Sequence, residues 1–147
     1  MAAYSFKDVV ATITGPGGVV NFGYGAGIAE EGITLEPTDD KDAMVIGADG
    51  TPMHTLRAAK SGTATVRVLK TSPTNALLQA MYDFQTLSSA NWGQNIIVVA
   101  NNAAGDVTTC RSVAFKRVAG NAYAKDAAMM EWAFNCGEMD RLLGVTS

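Results

Sequence analysis

The sequence predicts a mainly β protein, an antiparallel β-sandwich or half-barrel with one flanking α-helix and an extended hairpin arm. Short segments of alternating apolar and polar residues run through most of the chain, and Gly, Pro, Asn and Asp separate them. One segment of helical periodicity interrupts this succession. With 147 residues, 48% of them apolar and 17% charged, the composition is typical of one globular domain, here residues 1–147.

Nine segments carry the signals of β-strands. In segment 62–70, for example, alanine and valine alternate with threonine and arginine, so that one face is apolar and the other polar. Each strand then has a core side and a solvent side, as a sandwich or half-barrel requires. The predicted strands are 6–13, 19–24, 32–36, 43–47, 53–59, 62–70, 95–100, 107–118 and 127–136.

A β-hairpin is predicted from the strand segments 43–47 and 53–59. The dipeptide Asp49-Gly50 lies between two predicted strands and tolerates positive φ at both central positions of a two-residue turn. Neither of the two strands carries the pattern of a deeply buried segment. We therefore expect the hairpin to extend beyond the main sheet.

The helix is predicted over about residues 73–88. Ser72 can accept hydrogen bonds from backbone N–H groups two or three residues on, and Pro73 suits the first helical position. A helix of about 15 residues is roughly 22 Å long, enough to cover one open side of a small sheet. The predicted apolar stripe consists of Leu77, Leu78, Met81, Phe84 and Leu87.

Charge is segregated along the chain. Residues 30–49 hold seven carboxylates against one base, whereas residues 111–125 hold four bases and no acid. Opposite charges on two surfaces favour contact between copies of the chain in one register and oppose contact in others. The residues predicted to take part in contacts between copies of the chain are Asp39, Asp40, Asp42, Asp49, His54, Arg57, Arg111, Lys116 and Arg117.

Several functional classes are disfavoured. A net charge of −3 and a pI near 5.0 argue against a surface that binds nucleic acid. Residues 1–8 lack the apolar core of a signal peptide, and the longest apolar run, residues 96–100, is far too short to cross a bilayer. We therefore expect a chain that folds in a cytoplasm and does not insert into a membrane.

The sequence predicts no catalytic residue, no cofactor and no metal site. His54 is the only histidine, and a thiol dyad with Cys110 has no local signature to support it. Two cysteines and one histidine do not complete a zinc site, and the acidic run 39–42 lacks the spacing of a calcium loop. The glycines at 23, 25 and 27 precede Glu30 and Glu31, where a phosphate-binding helix would need its N-terminus.

The ordered motifs of the whole chain resemble those of one family. They are YSFKDV at 4–9, ITGPGG at 13–18, EEGIT at 30–34, IGADG at 46–50, LKTSP at 69–73 and YAKD at 123–126. In sequence and spacing the chain is similar to the tail tube proteins of contractile-tailed bacteriophages. The resemblance implies a β-sandwich with a flanking helix, assembled as hexameric rings whose inner strands close into one hollow barrel.

The same resemblance implies a set of partners. Stacked rings would conduct the viral genome inside a contractile sheath. The hairpin, as an extended arm over about residues 39–60, would reach a neighbouring subunit or ring. Partners would be copies of the chain, the sheath, the tape-measure protein, the baseplate hub and the tail terminator, with DNA passing through without sequence-specific binding. The protein would assemble in the host cytoplasm and reside in the virion tail.

The bore is expected to be lined by short polar side chains and carboxylates. The candidates are the residues that alternate away from the apolar face of two strands, and a neutral or negative lining would let DNA slide past. Arg67, on the same polar face, is at odds with that expectation. The candidates for the lining are Thr34, Glu36, Thr63 and Thr65.

Two hypotheses remain open for Cys110 and Cys136. Cys136 continues the apolar face of Trp132 and Phe134, whereas Cys110 lies beside Arg111 in a strand of charged character. Assembly in the cytoplasm favours two free thiols. Alternatively, the two pair between neighbouring subunits after release, which would require Cα atoms roughly 4.4–6.8 Å apart.

Other functions are kept as alternatives. One is the tube of a phage-derived contractile injection system, of the bacteriocin or type VI type, which shares the implied architecture. The other is a soluble β-sandwich that binds glycans through surface aromatic residues. Tubes or rings in electron microscopy would favour a conduit, and a monomer that binds glycans would favour the module.

Overall fold

The computed structural model describes residues 4–21, 28–126 and 129–144. The predicted glycine-rich loop at 23–27, the end of the predicted strand 19–24 and the first residues of the predicted strand 127–136 lie outside this part. The side chains of Glu30 and Glu31 also lie outside it.

Every predicted strand segment overlaps an observed strand, although several strands begin or end outside the predicted bounds. The helix α1 spans Thr74–Gln85, inside the predicted range of 73–88, and single 3-10 turns lie at Phe6–Asp8 and Ser89–Asn91. The Ser72 hydroxyl accepts a hydrogen bond from the backbone N–H of Thr74 at 3.2 Å, two residues on as predicted. Pro73 is the N-cap residue, so the first helical residue is Thr74 rather than the predicted Pro73. The strands are β1 Val9–Gly15, β2 Gly18–Asn21, β3 Ile28–Pro37, β4 Asp42–Ile46, β5 Pro52–Leu56, β6 Gly62–Val68, β7 Asn95–Asn101, β8 Asp106–Arg117 and β9 Met130–Leu142.

Seven strands form one antiparallel sheet in the order β2-β1-β7-β8-β9-β6-β3. The sheet curls into a half-barrel, which confirms the predicted fold class. Among the described strands, β4 and β5 pair only with each other, and they form the arm. The arm leaves the sheet between β3 and β6, which are hydrogen-bonded neighbours.

The core lies between the inner face of the curled sheet and α1. Trp132, Phe134 and Phe115 are fully buried, and the Phe115 ring lies 6.0 Å from that of Trp132 and 4.9 Å from that of Phe134. In β6 the alternation is as predicted, with Ala64 and its apolar neighbours inside. These three aromatic residues therefore cannot form a surface platform that binds glycans.

The rotation of α1 differs from the prediction. Leu78 and Met81 are buried as expected, but Leu77, Phe84 and Leu87 are exposed. The pattern of apolar residues predicted the wrong buried face because polar residues of the helix also face the core. Asn75 accepts from Trp132 Nε1 at 3.1 Å, and Gln85 is hydrogen-bonded inside the protein.

The inside–outside alternation of β8 reverses at Arg111 and Ser112, which are both exposed. Ser112 has a φ of 53°, and the register of β8 against β7 shifts at the same place, so that this is a β-bulge. The bulge returns Cys110 to the core, where it is fully buried. The charged neighbour Arg111 therefore does not place Cys110 on the polar side of β8.

Candidate assembly surfaces

The arm exposes apolar side chains on both of its faces. Met44, Val45, Ile46 and Met53 are 54–59% exposed, and Leu56 is 86% exposed. A two-stranded hairpin is marginally stable in water on its own, and an exposed apolar patch of this kind is typical of a contact surface. The arm therefore has the properties of a segment that is completed by another molecule.

The turn of the arm is one residue longer than predicted. Gly50 N–H donates to the Gly47 carbonyl at 2.9 Å and Gly47 N–H donates to the Thr51 carbonyl at 2.8 Å. The central residues of the β-turn are thus Ala48 and Asp49, and Gly50 follows with a φ of 87°. Asp49-Gly50 located the hairpin correctly, but it does not occupy both central positions.

Asp49 is held by the turn itself. Its carboxylate accepts a hydrogen bond from the backbone N–H of Thr51 at 3.1 Å, and the Thr51 side chain contributes a second interaction. These hydrogen bonds lower the pKa of Asp49 below its usual value. The tip of the arm therefore keeps its negative charge near neutral pH.

The other candidate residues of the arm lie along its two strands and at its base. His54 Nδ1 lies 3.0 Å from Asp42 Oδ2, in a contact across the hairpin. The carboxylate of Asp39 accepts from the Ser61 hydroxyl at 3.2 Å, next to the exposed Asp40. At the base of the strands, the N–H of Arg57 donates to the Lys41 carbonyl at 2.9 Å.

The basic candidates fall into two groups. Arg111 forms an ion pair with Asp140 of the neighbouring strand, and Lys60 lies 3.7 Å from the same carboxylate. Lys116 and Arg117 are exposed and form no ion pair within the described part of the chain. Arg57, at the base of the arm, likewise forms no ion pair in the described part of the chain. Of the four predicted bases, only Arg111 has its charge compensated there. We call the adjacent Lys116 and Arg117 the basic pair.

The arm and the basic pair lie toward opposite ends of the sheet. Strand β6 begins at Gly62, beside the arm, and ends at Val68, opposite Met130. Arg117 pairs with Ala133, close to that second end. The helix begins at this end too, because Asn75 Nδ2 donates to the Leu69 carbonyl at 2.9 Å.

The four candidates for the lining of a bore lie together on the outer face of the sheet. Thr34 is directly opposite Thr65, and Glu36 is directly opposite Thr63, in the ladder between β3 and β6. Residues that face each other in a ladder share one side of the sheet. The four side chains thus form one patch rather than two separate rows.

The positive charge of Arg67, which was at odds with the expected neutral or negative lining, is compensated by its neighbours. Its Nε lies 3.4 Å from a carboxylate oxygen of Glu131, and its Nη1 donates to the Thr34 hydroxyl at 3.1 Å. Glu131 stands directly opposite Arg67 in the ladder between β6 and β9. The positive charge is therefore paired within the patch.

Cys110 and Cys136 are free thiols with exposed fractions of 0% and 2%. The thiols of Cys110 and Cys136 are in hydrogen-bonding contact, and this bond together with burial raises the pKa of Cys136. Burial keeps both sulfurs away from another molecule. It favours the free thiols over a bond between subunits.

The described residues provide neither a membrane-crossing helix nor a cluster of metal ligands. Among them no helix combines the length and apolarity that crossing a bilayer requires. They also include no group of three or more His, Cys, Asp or Glu side chains that could hold a metal ion. The surfaces with distinctive chemistry are the arm, the basic pair and the polar patch.

The fold is similar to that of solved tube assemblies. A chain in the cryo-EM structure of the anti-feeding prophage tube-terminating cap matches with a TM-score of 0.59 at 10% identity, over 98% of this chain and 93% of that one. A chain of the anti-feeding prophage baseplate gives 0.59 at 12% identity, over 97% and 96%. A chain of an extracellular contractile injection system, the PVC sheath–tube complex in its extended state, gives 0.52 at 11%, over 90% and 88%.

These identities are low, so the structural likeness establishes a shared fold. No curated protein sequence matches the chain. A family model described as the bacteriophage PhiTE tail tube protein matches residues 1–144. The resemblance to tail tube proteins is thereby confirmed, and the chain belongs to the bacteriophage PhiTE tail tube protein family.

Proposed function

We propose that the chain is the structural subunit of a phage tail tube that assembles into stacked hexameric rings. The rings form a hollow conduit for the viral genome inside a contractile sheath. The chain acts by self-association rather than by catalysis. It assembles in the host cytoplasm and remains in the tail of the virion.

The observation that carries this proposal is the arm. Its apolar side chains are more than half exposed, and no element of the sheet or helix packs broadly against it in the described part of the subunit. An isolated subunit would leave this surface in water, at a cost of roughly 25 cal/mol for each Å² of apolar area. Contact with another copy removes that cost and gives the arm a function.

The distribution of charge supports stacking from head to tail. The segment from Asp42 to Leu56 holds two carboxylates and no lysine or arginine, and Lys116 and Arg117 lie toward the other end of the sheet. When identical subunits stack in one direction, these two ends face each other. The acidic arm then meets an uncompensated pair of bases.

The edges of the sheet support ring closure. Strands β2 and β3 are the two edges of the sheet that the described residues form. Edge strands of this kind pair readily with another chain. Side-by-side contact of β2 and β3 from adjacent subunits would close the sheets into a continuous ring.

The polar patch supports an inner surface that does not hold DNA. Threonine hydroxyls dominate it, Glu36 is negative, and Arg67 is paired with Glu131. Phosphates bind firmly where several lysines or arginines stay uncompensated. A lining of Thr34, Glu36, Thr63 and Thr65 offers no such attraction, so a DNA molecule can slide along it.

The partners follow from this assembly. We propose contacts with the sheath on the outside, the tape-measure protein within, and the baseplate hub and tail terminator at the two ends. The solved assemblies with a similar fold include a tube-terminating cap, a baseplate and a sheath–tube complex.

Electron microscopy of the purified full chain tests the proposal. We expect rings or hollow tubes of uniform diameter at high protein concentration, with sixfold symmetry in end views. The position of the bore can be tested with Thr65→Cys in assembled tubes. A small maleimide should label it, and a maleimide carrying a polymer wider than the bore should not.

The fold comparisons favour a second candidate, the tube of a phage-derived contractile injection system. Such a particle would be built in the same way and would carry no genome. Nuclease treatment of particles isolated from the producing cell distinguishes the two. Protected DNA of genome length indicates a phage tail tube, and tailed particles without DNA indicate an injection system.

A further inference from the structure

The outward side of α1 and the turn that follows it carry a row of apolar residues that we define as the outer ridge: Leu77, Ala80, Phe84 and Leu87. The first three are three or four residues apart in the helix and so lie on one side of it. Leu87 lies just beyond the C-cap, where its N–H donates to the Phe84 carbonyl at 3.3 Å and continues the row. Leu77 is 55% exposed and Leu87 is 80% exposed. Because Leu78 and Met81 pack into the core, α1 is apolar on two sides.

The outer ridge is nearly free of charge. Asp83 is the only charged residue of α1, and it accepts a hydrogen bond from Gln79 at 3.0 Å on the flank of the ridge. Single exposed leucines are ordinary on protein surfaces, but a continuous apolar row is typical of a contact site. The ridge therefore has the character of a surface that another molecule covers.

The arm and the ridge are complementary in size and apolarity. A strand of five residues is about 17 Å long, and a helix of 12 residues is about 18 Å long. The arm carries exposed methionine, valine, isoleucine and leucine side chains, which match the leucines and phenylalanine of the ridge.

Their positions and charges match as well. The helix starts at the end of the sheet opposite the arm, near Lys116 and Arg117 along the strands. In a head-to-tail stack the arm of one subunit thus points toward the end of the next subunit that contains α1. The carboxylates of Asp42 and Asp49 would approach that basic end.

We propose that the arm of one copy, strands β4 and β5, binds the outer ridge of α1 on the next copy. The inference rests on the proposed function, because it names the surface that receives the arm during stacking. It identifies a second copy of this chain, rather than the sheath, as the molecule that covers α1.

Site-specific photo-cross-linking of the full chain tests this contact. A benzophenone amino acid replaces Leu87, tubes are assembled from a mixture of isotopically heavy and light subunits, and cross-linked peptides are identified by mass spectrometry. We expect mixed heavy–light products that join position 87 to residues 42–56. The matched control places the same amino acid at Asn102, an exposed residue at the far end of β7, and should give no product with residues 42–56 of another subunit.

Cross-links from position 87 to any other segment, or none in well-formed tubes, overturn the inference and leave the proposed function intact. Failure of the unmodified chain to form tubes overturns both. A second measurement uses Leu87→Gln, which should raise the protein concentration needed for assembly about tenfold or more. Unchanged assembly of this variant, with unchanged thermal unfolding, contradicts the contact.

Discussion

Gln85 and Asn95 form a closed pair of amide hydrogen bonds inside the protein. Gln85 Nε2 donates to Asn95 Oδ1 at 2.7 Å, and Asn95 Nδ2 donates back to Gln85 Oε1 at 2.8 Å. Gln85 Nε2 also donates to the Pro16 carbonyl at 2.8 Å. A Cβ atom at Gly15 would lie 1.9 Å from Asn95 Oδ1, so a glycine is required there. The pair fixes the last turn of α1 to β7 and to the turn after β1.

Asn95→Ala should destabilise the subunit by about 1–3 kcal/mol, because the buried side-chain oxygen of Gln85 then loses its donor, Asn95 Nδ2. The double variant Gln85→Met, Asn95→Leu should lower the free energy of unfolding by less than the sum of Gln85→Met and Asn95→Leu made singly. The reason is that both polar partners are removed together. Urea unfolding followed by circular dichroism measures both. Strict additivity would show that the two amides act independently.

Gly137→Ala should destabilise the subunit by about 1–3 kcal/mol. A Cβ atom at Gly137 would lie 2.9 Å from Ser112 Cβ and 3.2 Å from the Ser112 carbonyl oxygen, so the bulge in β8 would have to move. Gly120→Ala is the matched control, because a Cβ there meets nothing within 4 Å. Equal melting temperatures for the two variants would contradict a role of Gly137 in the bulge.

Removal of residues 42–57 should leave a folded subunit that does not polymerise. The arm strands form their ladder with each other, and the sheet that surrounds the core is complete without them. Circular dichroism and thermal unfolding should stay close to those of the full chain, while electron microscopy shows no tubes. Tubes formed by the shortened chain would rule out the arm as an assembly element.

Reversal of Lys116 and Arg117 to Glu should weaken assembly by several kcal/mol, because like charges would then meet between subunits. The defect should diminish in high salt, since exposed charges are screened. Lys7→Glu, at an exposed base outside the basic pair, is the control. Sedimentation at low and high ionic strength measures the effect, and normal assembly of the double variant in low salt would place these residues outside the interface.

Stability should fall as pH rises above about 8.5. Cys136 has a raised pKa in the folded state, so above the ordinary thiol pKa the unfolded chain releases a proton that the folded chain keeps. The contribution is fully present below about pH 8.5 and is lost as pH rises toward the raised pKa. Cys136→Ala should remove this part of the slope in unfolding experiments between pH 7 and 10.

The same burial should protect both thiols from alkylation in the native protein and expose them in denaturant. Mature particles should then give only a monomer band in non-reducing electrophoresis. A ladder of bands that disappears with reductant would instead support a disulfide bond between subunits.

Local patterns were enough to locate nearly every element. The alternation around Val66 and the Ser72-Pro73 start of α1 are signals within a few residues of sequence. The first was interpreted correctly, and the second located the start of the helix to within one residue. The Asp49-Gly50 dipeptide located the arm for the same reason. The family motifs then added the expectation of a tail tube protein.

Features that depend on distant partners were not predictable in this way. The rotation of α1 depends on Asn95 and Trp132, which follow the helix by many residues and meet it only in the folded state. The position of Cys110 depends on a bulge whose register is set by β7. The pairing of Arg111 with Asp140 likewise requires the ladder between β8 and β9.

The separation of the arm from α1 along the strands gives a growing tube two chemically unlike tips. Under the proposed contact, one tip would present unoccupied arms, and the other would present bare helices beside Lys116 and Arg117. A protein that halts growth at the tip with unoccupied arms must bind an apolar hairpin. A protein that starts growth at the tip with bare helices must itself provide such a hairpin. Elongation would therefore run at two different rates, and the length of the tube could be controlled from one tip alone.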